Sequence, residues 1–348
     1  MKSKRKIVTL IILLIVFVNF IISFNWSYNN MVKAVDNSIV KKVNPIGRVV
    51  GLKLYTNGVL VVGMSEVEDE NGNKCKPYQN TGIQEGDMIK TANGEEVKNT
   101  TDLINIINSC KGQEIPIKYE RDSGDIYTTI KPVKSNDGNY MMGLWVRDAA
   151  AGLGTLTYYD EENASFAALG HGIDDVDTGK LLEISNGEVV TSKIISIVKG
   201  EKGKPGEIRG TIDEGEKIGE IIENTEIGIY GKVTNTEFID SIKLEEVPVA
   251  SRNQIKIGKA KIFCQLNNEG IDEYEIEIKK IYKTNNKDNK SILIKITDQK
   301  LINITGGIIP GMSGTPIIQD GKFIGAITNV LLNDPLQGYA IFADMMIK

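Results

Sequence analysis

Histidine and cysteine are scarce in this chain of 348 residues, which contains one histidine and three cysteines. Metal sites built from imidazole or thiolate ligands need several such residues at short spacings, and no pair of cysteines here has that spacing. The sequence therefore predicts no metal and no cofactor. Cys75 and Cys110 could form one disulfide, whereas Cys264 lies in no motif typical of a cysteine enzyme.

Blocks of lysine and arginine interleaved with aromatic residues are also absent beyond the extreme N-terminus. The formal net charge is -5, and charged residues of both signs are spread over both halves of the chain. Proteins that bind nucleic acid usually present a basic patch, so nucleic acid is not an expected partner. The length is enough for about two domains, each with its own core.

A single long apolar run lies near the N-terminus. Four basic residues within the first six positions precede an almost unbroken apolar segment from Ile7 to Phe24. This pattern predicts a signal or membrane anchor at residues 1–24, with the rest of the chain outside the cytoplasm. The tripeptide at residues 32–34 could be a cleavage site, but it lies far from the apolar run, so an uncleaved anchor is favoured. The polar residues 25–43 are predicted to be a linker.

Short strands and one helix are predicted in the next region. Val49–Leu54 and Gly58–Met64 are rich in branched apolar residues and are predicted to be neighbouring strands. A helix follows, with Asn99 or Thr100 as its cap and an apolar stripe at spacings of three and four. The stripe consists of Leu103, Ile106 and Ile107, and two further strands are predicted at Ile115–Arg121 and Ile126–Val133.

The segment Asn80–Ile89, with an Asn-Gly turn a few residues later, resembles a bacterial PDZ domain. PDZ domains bind a peptide as an added strand, and the amides of a loop before the exposed edge hold a carboxylate or a carbonyl. The matching loop here is Val50, Gly51 and Leu52, although Gly51 could also be a simple turn glycine. The expected ligand is a partner's peptide or tail, or the chain's own N-terminal segment.

Residues 140–348 have frequent glycines, many branched residues and few helical stripes, which favours a β-barrel or a pair of barrels. The predicted fold class is therefore mainly β. This half contains the only histidine, His171, between two glycines, and the turn Gly311-Met312-Ser313-Gly314-Thr315-Pro316.

A serine hydroxyl needs a positioned base, and His171 is the single candidate. The Gly-x-Ser-Gly-x-Pro turn and the order histidine before serine are typical of chymotrypsin-like peptidases. In an α/β-hydrolase a helix directly follows the serine turn and the histidine comes later in the chain. Neither feature is present here. The amides of Gly311 and Ser313 are the predicted oxyanion hole, with Gly314 allowing the turn.

Three segments together resemble stage IV sporulation protein B, a family of PDZ-containing serine peptidases of endospore-forming bacteria. They are Trp145–Asp148, Leu169–Ile173 and Gly306–Pro316, and the resemblance extends over the whole chain. It implies that His171 is the general base, Ser313 the nucleophile and Asp298 the third catalytic residue. Asp240 is the alternative acid, and the aspartates that follow the histidine are expected to form a solvated loop: Asp174, Asp175 and Asp177.

The resemblance also implies a domain order and a role. The anchor and linker precede a PDZ domain at residues 44–135 and a chymotrypsin-like β-barrel peptidase domain at residues 140–348. The implied activity is that of an extracytoplasmic serine endopeptidase of the forespore intermembrane space. It would process itself and cleave a membrane-bound regulator of an intramembrane metalloprotease, which leads to sigma-factor activation. The alternative is a PDZ-based adaptor with an inactive barrel.

Overall fold

Branched apolar residues recur throughout the chain after residue 41, and the structure is accordingly mainly β. A computed structural model describes residues 41–282 and 289–348, and of residues 213–215 the backbone alone. The predicted anchor at residues 1–24 and most of the predicted linker lie outside the described residues. Among those that are described, no helix is both long and apolar enough to cross a bilayer.

The elements are numbered in chain order. The strands are β1 (Lys42–Met64), β2 (Val67–Glu68), β3 (Lys74–Cys75), β4 (Met88–Ala92), β5 (Glu95–Glu96), β6 (Ile115–Arg121), β7 (Gly124–Ile130), β8 (Val133–Lys134), β9 (Tyr140–Met141), β10 (Leu144–Asp160), β11 (Ser165–Ala168), β12 (Ile184–Val198), β13 (Glu207–Thr225), β14 (Gly228–Val233), β15 (Val247–Pro248), β16 (Gly258–Cys264), β17 (Asp272–Ile281), β18 (Ile292–Ile296), β19 (Pro316–Gln319), β20 (Lys322–Leu331) and β21 (Asp334–Phe342). The helices are α1 (Thr100–Ser109), α2 (Thr236–Ile242), α3 (Gln299–Thr305) and α4 (Ala343–Met346), with a 3-10 turn at Arg252–Gln254.

Six strands close on themselves to form the first barrel. Hydrogen-bonded neighbours follow the order β10, β11, β14, β13, β12 and β1, and β1 closes the ring by pairing with β10. The interior is filled by fully buried side chains, including Leu52, Leu156, Phe166 and Val189. Closure leaves these strands without an exposed edge within the ring.

One strand of 23 residues, β1, replaces the two short strands predicted from the sequence. Its pairing with β10 shifts register between Tyr55 and Leu60, and the chain continues in the same direction. Thr56 marks this point, because its buried hydroxyl donates to the carbonyls of Gly58 and Asp148. The predicted turn at residues 55–57 is therefore an irregularity within one strand.

Beyond this irregularity the chain builds a small lobe, residues 59–147, between β1 and the barrel part of β10. In this inserted lobe the end of β1 pairs with the start of β10 and with β4, and β6 and β7 extend the sheet. Helix α1 covers the sheet with its predicted apolar stripe, and Asn99 caps it by accepting from the amide of Asp102. The predicted helix and the strand Ile115–Arg121 are confirmed.

The second barrel consists of β16, β17, β18, β21, β20 and β19, which form a closed ring. Its core is made largely of isoleucines, such as Ile262, Ile276 and Ile294. The two rings confirm the expectation that the C-terminal half is a β-barrel structure, although the first ring also needs β1 from outside that half.

The start of β1 also joins the two barrels. The amide of Val49 donates to the side-chain carbonyl of Gln265, and the amide of Gln265 donates to the carbonyl of Gly47, both at 3.0 Å. A Cβ atom at Gly47 would lie 2.1 Å from the carbonyl oxygen of Phe263, and Gly47 has φ +81°, so only glycine fits this approach.

All three cysteines carry free thiols, so the suggested disulfide between Cys75 and Cys110 is not formed. Cys75 lies at the start of the inserted lobe, whereas Cys110 is buried behind α1. Cys264 is buried in the second barrel.

Candidate active site

A cavity of about 630 Å³ lies between the two barrels. Its walls contain side chains from both, with Leu153 and His171 contributed by the first barrel and Thr328 and Val330 by the second. The turn that carries Ser313 completes the lining. The structure therefore brings together the two predicted catalytic residues, which are 142 positions apart in the chain.

A tight turn after β11 places His171 at the cavity wall. Leu169 and Gly170 both have positive φ, +70° and +73°. Such values are unusual for leucine, and the surrounding structure supports them: the amide of Leu169 donates to the carbonyl of Thr155 at 3.2 Å. The side chain of His171 is half-buried, so solvent and substrate can reach it.

A main-chain carbonyl orients the imidazole. Nδ1 of His171 lies 2.7 Å from the carbonyl oxygen of Gly172. Because a carbonyl oxygen can only accept, Nδ1 must carry the hydrogen in the neutral ring, and Nε2 is left as the proton acceptor. Within the described ranges, no carboxylate is hydrogen-bonded to this ring. His171 thus has the tautomer that a general base acting through Nε2 requires.

Ser313 lies in the turn between α3 and β19. Its hydroxyl donates to the carbonyl of Thr328 in β20 at 2.9 Å. No hydrogen bond joins it to His171 in the part of the chain that the structure describes. Catalytic hydrogen bonds of this type often form only when substrate is bound. The hydroxyl must therefore leave Thr328 before it can transfer its proton.

Thr155 of β10 attaches the serine turn to the first barrel. Its hydroxyl donates to the carbonyl of Gly311 at 2.7 Å, and its amide donates to the carbonyl of Ser313 at 3.2 Å. Gly314 allows this contact, since a Cβ there would lie 2.4 Å from the carbonyl oxygen of Thr155 and 2.5 Å from the amide nitrogen of Leu169. The turns of Ser313 and His171 thus meet at Gly314. The sequence analysis missed Thr155, which is a threonine among several others in a strand.

Two backbone amides at the serine turn are available to an oxyanion. Within the described ranges, neither the N–H of Gly311 nor that of Ser313 donates a hydrogen bond, and both residues line the cavity. By contrast, the amide of Gly314 donates to the carbonyl of Ile327 at 2.7 Å. Gly311 has φ +100°, a backbone conformation that glycine adopts readily and other residues rarely adopt. The assignment of these two amides as an oxyanion hole stays a prediction.

Asp298 and Asp240 are not among the residues that line the cavity. Asp298 is the N-cap of α3, where its carboxylate accepts from the amide of Leu301 at 3.0 Å. Asp240 is exposed in α2 and pairs with Lys243 at 2.9 Å. The predicted role of Asp298 as third catalytic residue, which rested on the family resemblance, therefore does not correspond to its position at the start of a short helix.

Asp175 is buried, contrary to the prediction of a solvated loop, whereas Asp174 and Asp177 are exposed. Its carboxylate accepts from Arg147 at 2.6 Å and from the amides of Asp177 and Thr178. Burial alone would raise the pKa of Asp175, but the hydrogen bonds from Thr178 and Arg147 outweigh this effect and hold the pKa below its usual value. Asp175 is thus a paired carboxylate at the cavity wall.

A family model described as SpoIVB peptidase S55 matches residues 138–347, more than half of the chain. The chain belongs to the SpoIVB peptidase family S55. It is therefore a serine peptidase, a hydrolase, and the cavity with His171 and Ser313 contains the residue types that this activity needs. An adaptor with an inactive barrel is not favoured.

No curated protein matches this SpoIVB peptidase. Among solved structures, the PDZ domain of the SdrC-like protein from Listeria monocytogenes matches at 23% identity and a TM-score of 0.21. That match covers 26% of this chain and 87% of the other. The PDZ assignment of residues 44–135 stays a prediction.

The family match begins at residue 138, but the first barrel of this SpoIVB peptidase is closed by β1, which begins at Lys42. The predicted boundaries at residues 44–135 and 140–348 separate β1 from that barrel. The peptidase fold uses segments from both sides of the inserted lobe.

The predicted PDZ loop lies in the middle of β1. Gly51 pairs with Leu153 of β10 on one side and with Val190 of β12 on the other, and Val50 and Leu52 are buried in the first barrel. Neither edge is free to accept an added strand, so the assignment of Val50, Gly51 and Leu52 to peptide binding is wrong. A run of branched apolar residues looks the same in a central strand and beside a binding edge.

A different part of the inserted lobe has the features of a peptide groove. An apolar cavity of about 610 Å³ lies between α1 and the start of β10, with Leu103, Ile104 and Trp145 in its walls. Trp145 is 64% exposed and Ile104 is 50% exposed. Residues 144–147 pair with β1 on one side, and among the described residues no strand pairs with their other side.

Proposed function

We propose that this SpoIVB peptidase cleaves peptide bonds with Ser313 as nucleophile, His171 as general base and the amides of Gly311 and Ser313 as oxyanion hole. One observation carries this proposal: residues from two barrels meet at one accessible cavity, together with two amides that have no acceptor among the described residues. The predicted triad acid is replaced in this account by the carbonyl of Gly172, which orients the imidazole.

Substrate binding supplies a way to activate the serine. Asn329 and Val330 pair with β21, and Thr328 lies just before them; none of these residues pairs with β19. A substrate backbone lying beside this edge would donate an N–H to the carbonyl of Thr328. That N–H would compete with the hydroxyl of Ser313 for the carbonyl oxygen, weaken the bond of the hydroxyl and favour its rotation toward His171.

The reaction follows from these positions. Ser313 attacks the scissile carbonyl carbon while its proton passes to Nε2 of His171, and the carbonyl oxygen of Gly172 stabilises the imidazolium through Nδ1–H. The amides of Gly311 and Ser313 hold the tetrahedral oxyanion, and such a donor contributes about 2.7 to 4 kcal/mol of transition-state stabilisation. His171 then gives the proton to the leaving amine, and water hydrolyses the acyl-enzyme by the same route.

The family supports a more specific role. We infer that the peptidase acts outside the cytoplasm, anchored by residues 1–24, and that it processes itself during sporulation. Its proposed substrate is a membrane-bound regulator of an intramembrane metalloprotease, whose cleavage leads to sigma-factor activation. The groove between α1 and β10, rather than the segment at residues 50–52, is the proposed binding edge for a partner peptide or tail.

The test uses the chain from residue 41 to residue 348, incubated alone and with unfolded casein. Peptides are identified by mass spectrometry. We expect cleavage by the native sequence and none by Ser313→Ala or His171→Gln, while Asp240→Asn cleaves normally because Asp240 is exposed and does not line the cavity. Equal cleavage by Ser313→Ala would refute the assignment.

A further inference from the structure

The motif Trp145-Val146-Arg147-Asp148 ends the inserted lobe, and the chemistry proposed above leaves it without a role. Arg147 lines the catalytic cavity and extends to the loop that follows His171. Its Nη1 donates to Asp175 at 2.6 Å and its Nη2 to Asp177 at 2.7 Å. A planar guanidinium that binds two carboxylates fixes their direction as well as their distance.

The carboxylate of Asp175 in turn organises the loop. It accepts from the amides of Asp177 at 3.1 Å and Thr178 at 3.0 Å. The backbone of Asp175 donates to the carbonyl of Lys180 and accepts from the amide of Gly179, both at 2.8 Å. The side chain of Asp175 is only 1% exposed, so Arg147 supplies the opposite charge that a buried carboxylate needs.

The first barrel holds only the ends of this loop. Asn224 of β13 accepts from the amide of Ile173 at 2.9 Å and donates to the carbonyls of Ile173 and Leu182, both at 2.8 Å. The middle of the loop is held by Arg147. Gly172, whose carbonyl orients His171, lies next to Ile173, so a loop released at Asp175 would leave the bonds between Asn224 and Ile173 to hold the segment that fixes the imidazole.

Arg147 also connects the histidine loop with the rest of the inserted lobe. It pairs with Leu60 of β1, and the next residue, Asp148, accepts from the amide of Thr100 at 2.6 Å, at the start of α1. Consecutive residues of one strand thus hold the helix of the apolar groove and the loop of the catalytic base.

We propose that Arg147 is a positioning residue of the peptidase, which fixes the loop after His171 and ties the catalytic base to the inserted lobe. The proposal rests on the proposed function of His171 and Ser313. A displacement of about 1 Å at a catalytic group can cost about 100-fold in rate. Loss of Arg147 should therefore lower the maximal rate at which Ser313 reacts, by about 100-fold, with little change in the concentration that half-saturates the site.

The experiment compares four variants of residues 41–348 with the native sequence. Arg147→Met removes the guanidinium, and Arg147→Lys keeps one charge that can hold one carboxylate. The double variant Arg147→Met/Asp175→Asn removes both charges, so that folding does not depend on an unpaired buried carboxylate. The matched control is Arg121→Met, because Arg121 also donates two hydrogen bonds to carboxylate oxygens, both of the buried Asp87, but does not line the cavity.

Two readouts are measured on each protein: the saturation kinetics of labelling by a fluorophosphonate, and hydrogen exchange at the amides of Asp177, Thr178 and Gly179. We expect slow labelling and fast exchange in Arg147→Met and in the double variant, an intermediate rate in Arg147→Lys, and native values for both readouts in Arg121→Met.

Native labelling kinetics in Arg147→Met or in the double variant would overturn the proposal. Native rates of hydrogen exchange at the loop amides in both of these variants would overturn it as well. A change confined to the half-saturating concentration would also overturn it, because Arg147 would then bind ligand and not position His171. If the native chain were not labelled at all, the proposed function itself would fail, and the exchange data would still show whether Arg147 holds the loop.

Discussion

The hydroxyl of Ser313 has an acceptor that it must leave before the reaction begins. That acceptor, the carbonyl of Thr328, cannot take a proton, whereas Nε2 of His171 can. A substrate N–H that competes for this carbonyl would weaken the bond of the hydroxyl as the scissile bond arrives. Activation of the serine is then linked to occupation of the cavity by substrate. This link limits the activation of Ser313 when no substrate is bound.

Asp298 offers a direct test of how the imidazole is oriented. Since its carboxylate caps α3, Asp298→Ala should lower the free energy of unfolding by about 1 kcal/mol and leave the labelling rate of Ser313 within about twofold of native. Urea unfolding and fluorophosphonate labelling measure the two effects. A loss of about 10⁴-fold in rate with native stability would show instead that Asp298 acts as the triad acid.

Cys264 should be unreactive in the folded protein. Burial raises the pKa of its thiol to about 12, so almost no thiolate exists at neutral pH. We expect iodoacetamide at pH 8 to modify Cys75 in the native state and Cys264 only after unfolding. Peptide mapping by mass spectrometry checks this; rapid native labelling of Cys264 would show that the second barrel opens.

Among the elements, β10 has the largest influence on the active site. It closes the first barrel, contributes Leu153 to the cavity, and carries Thr155, which holds the serine turn. The turn is therefore positioned by a strand of the other barrel as well as by the strand that follows it. This arrangement explains why Gly314, where the two meet, has no room for a side chain.

Thr155→Val tests this contact, since valine keeps the shape and removes the hydroxyl. The carbonyl of Gly311 would lose its partner, which should cost about 1 to 3 kcal/mol of stability, and displacement of the adjacent amides should slow labelling by about 10-fold to 100-fold. Thr157→Val is the control on the same strand, because the hydroxyl of Thr157 is buried and has no hydrogen-bond partner within the described residues. Similar labelling by the two variants would contradict the role of Thr155.

Local patterns predicted the elements whose signals are local. The apolar stripe and cap of α1, the strand β6 and the two glycine turns around His171 and Ser313 all depend on neighbours within a few residues. The assignment of Asp298 rested on the family resemblance and not on a local pattern, and the sequence did not show that its carboxylate caps a short helix. The partners of Arg147 and Thr155 depend on tertiary contacts that spacing does not encode.

At the scale of the whole molecule, β1 is shared. Its first half closes the first barrel, its residues near Gly47 contact the second barrel, and its end enters the sheet of the inserted lobe. Sequence analysis assigned β1 to the lobe because strand pairing between residues about 100 positions apart leaves no local pattern. The position of the groove was missed for the same reason, because a groove of this kind can be located only when the strand with a free edge is known.

A fragment of residues 138–348, which contains the whole family match, should not fold. Without β1, both β10 and β12 lose a neighbour, and exposed strand edges favour aggregation. We expect size-exclusion chromatography to show aggregation of this fragment, or circular dichroism during heating to show no cooperative transition. Residues 41–348 should unfold in one cooperative transition. Cooperative unfolding of the fragment with native labelling would contradict the structural role of β1.

His171 and Ser313 are proposed to act together in one cavity. The decisive experiment is to measure the mass of residues 41–348 after reaction with a fluorophosphonate and to map the modified residue by peptide analysis. We expect one adduct, on Ser313, which is lost in Ser313→Ala and at least about 100-fold slower to form in His171→Gln. An adduct on another residue, or an unchanged rate in His171→Gln, would show that the two residues do not act together.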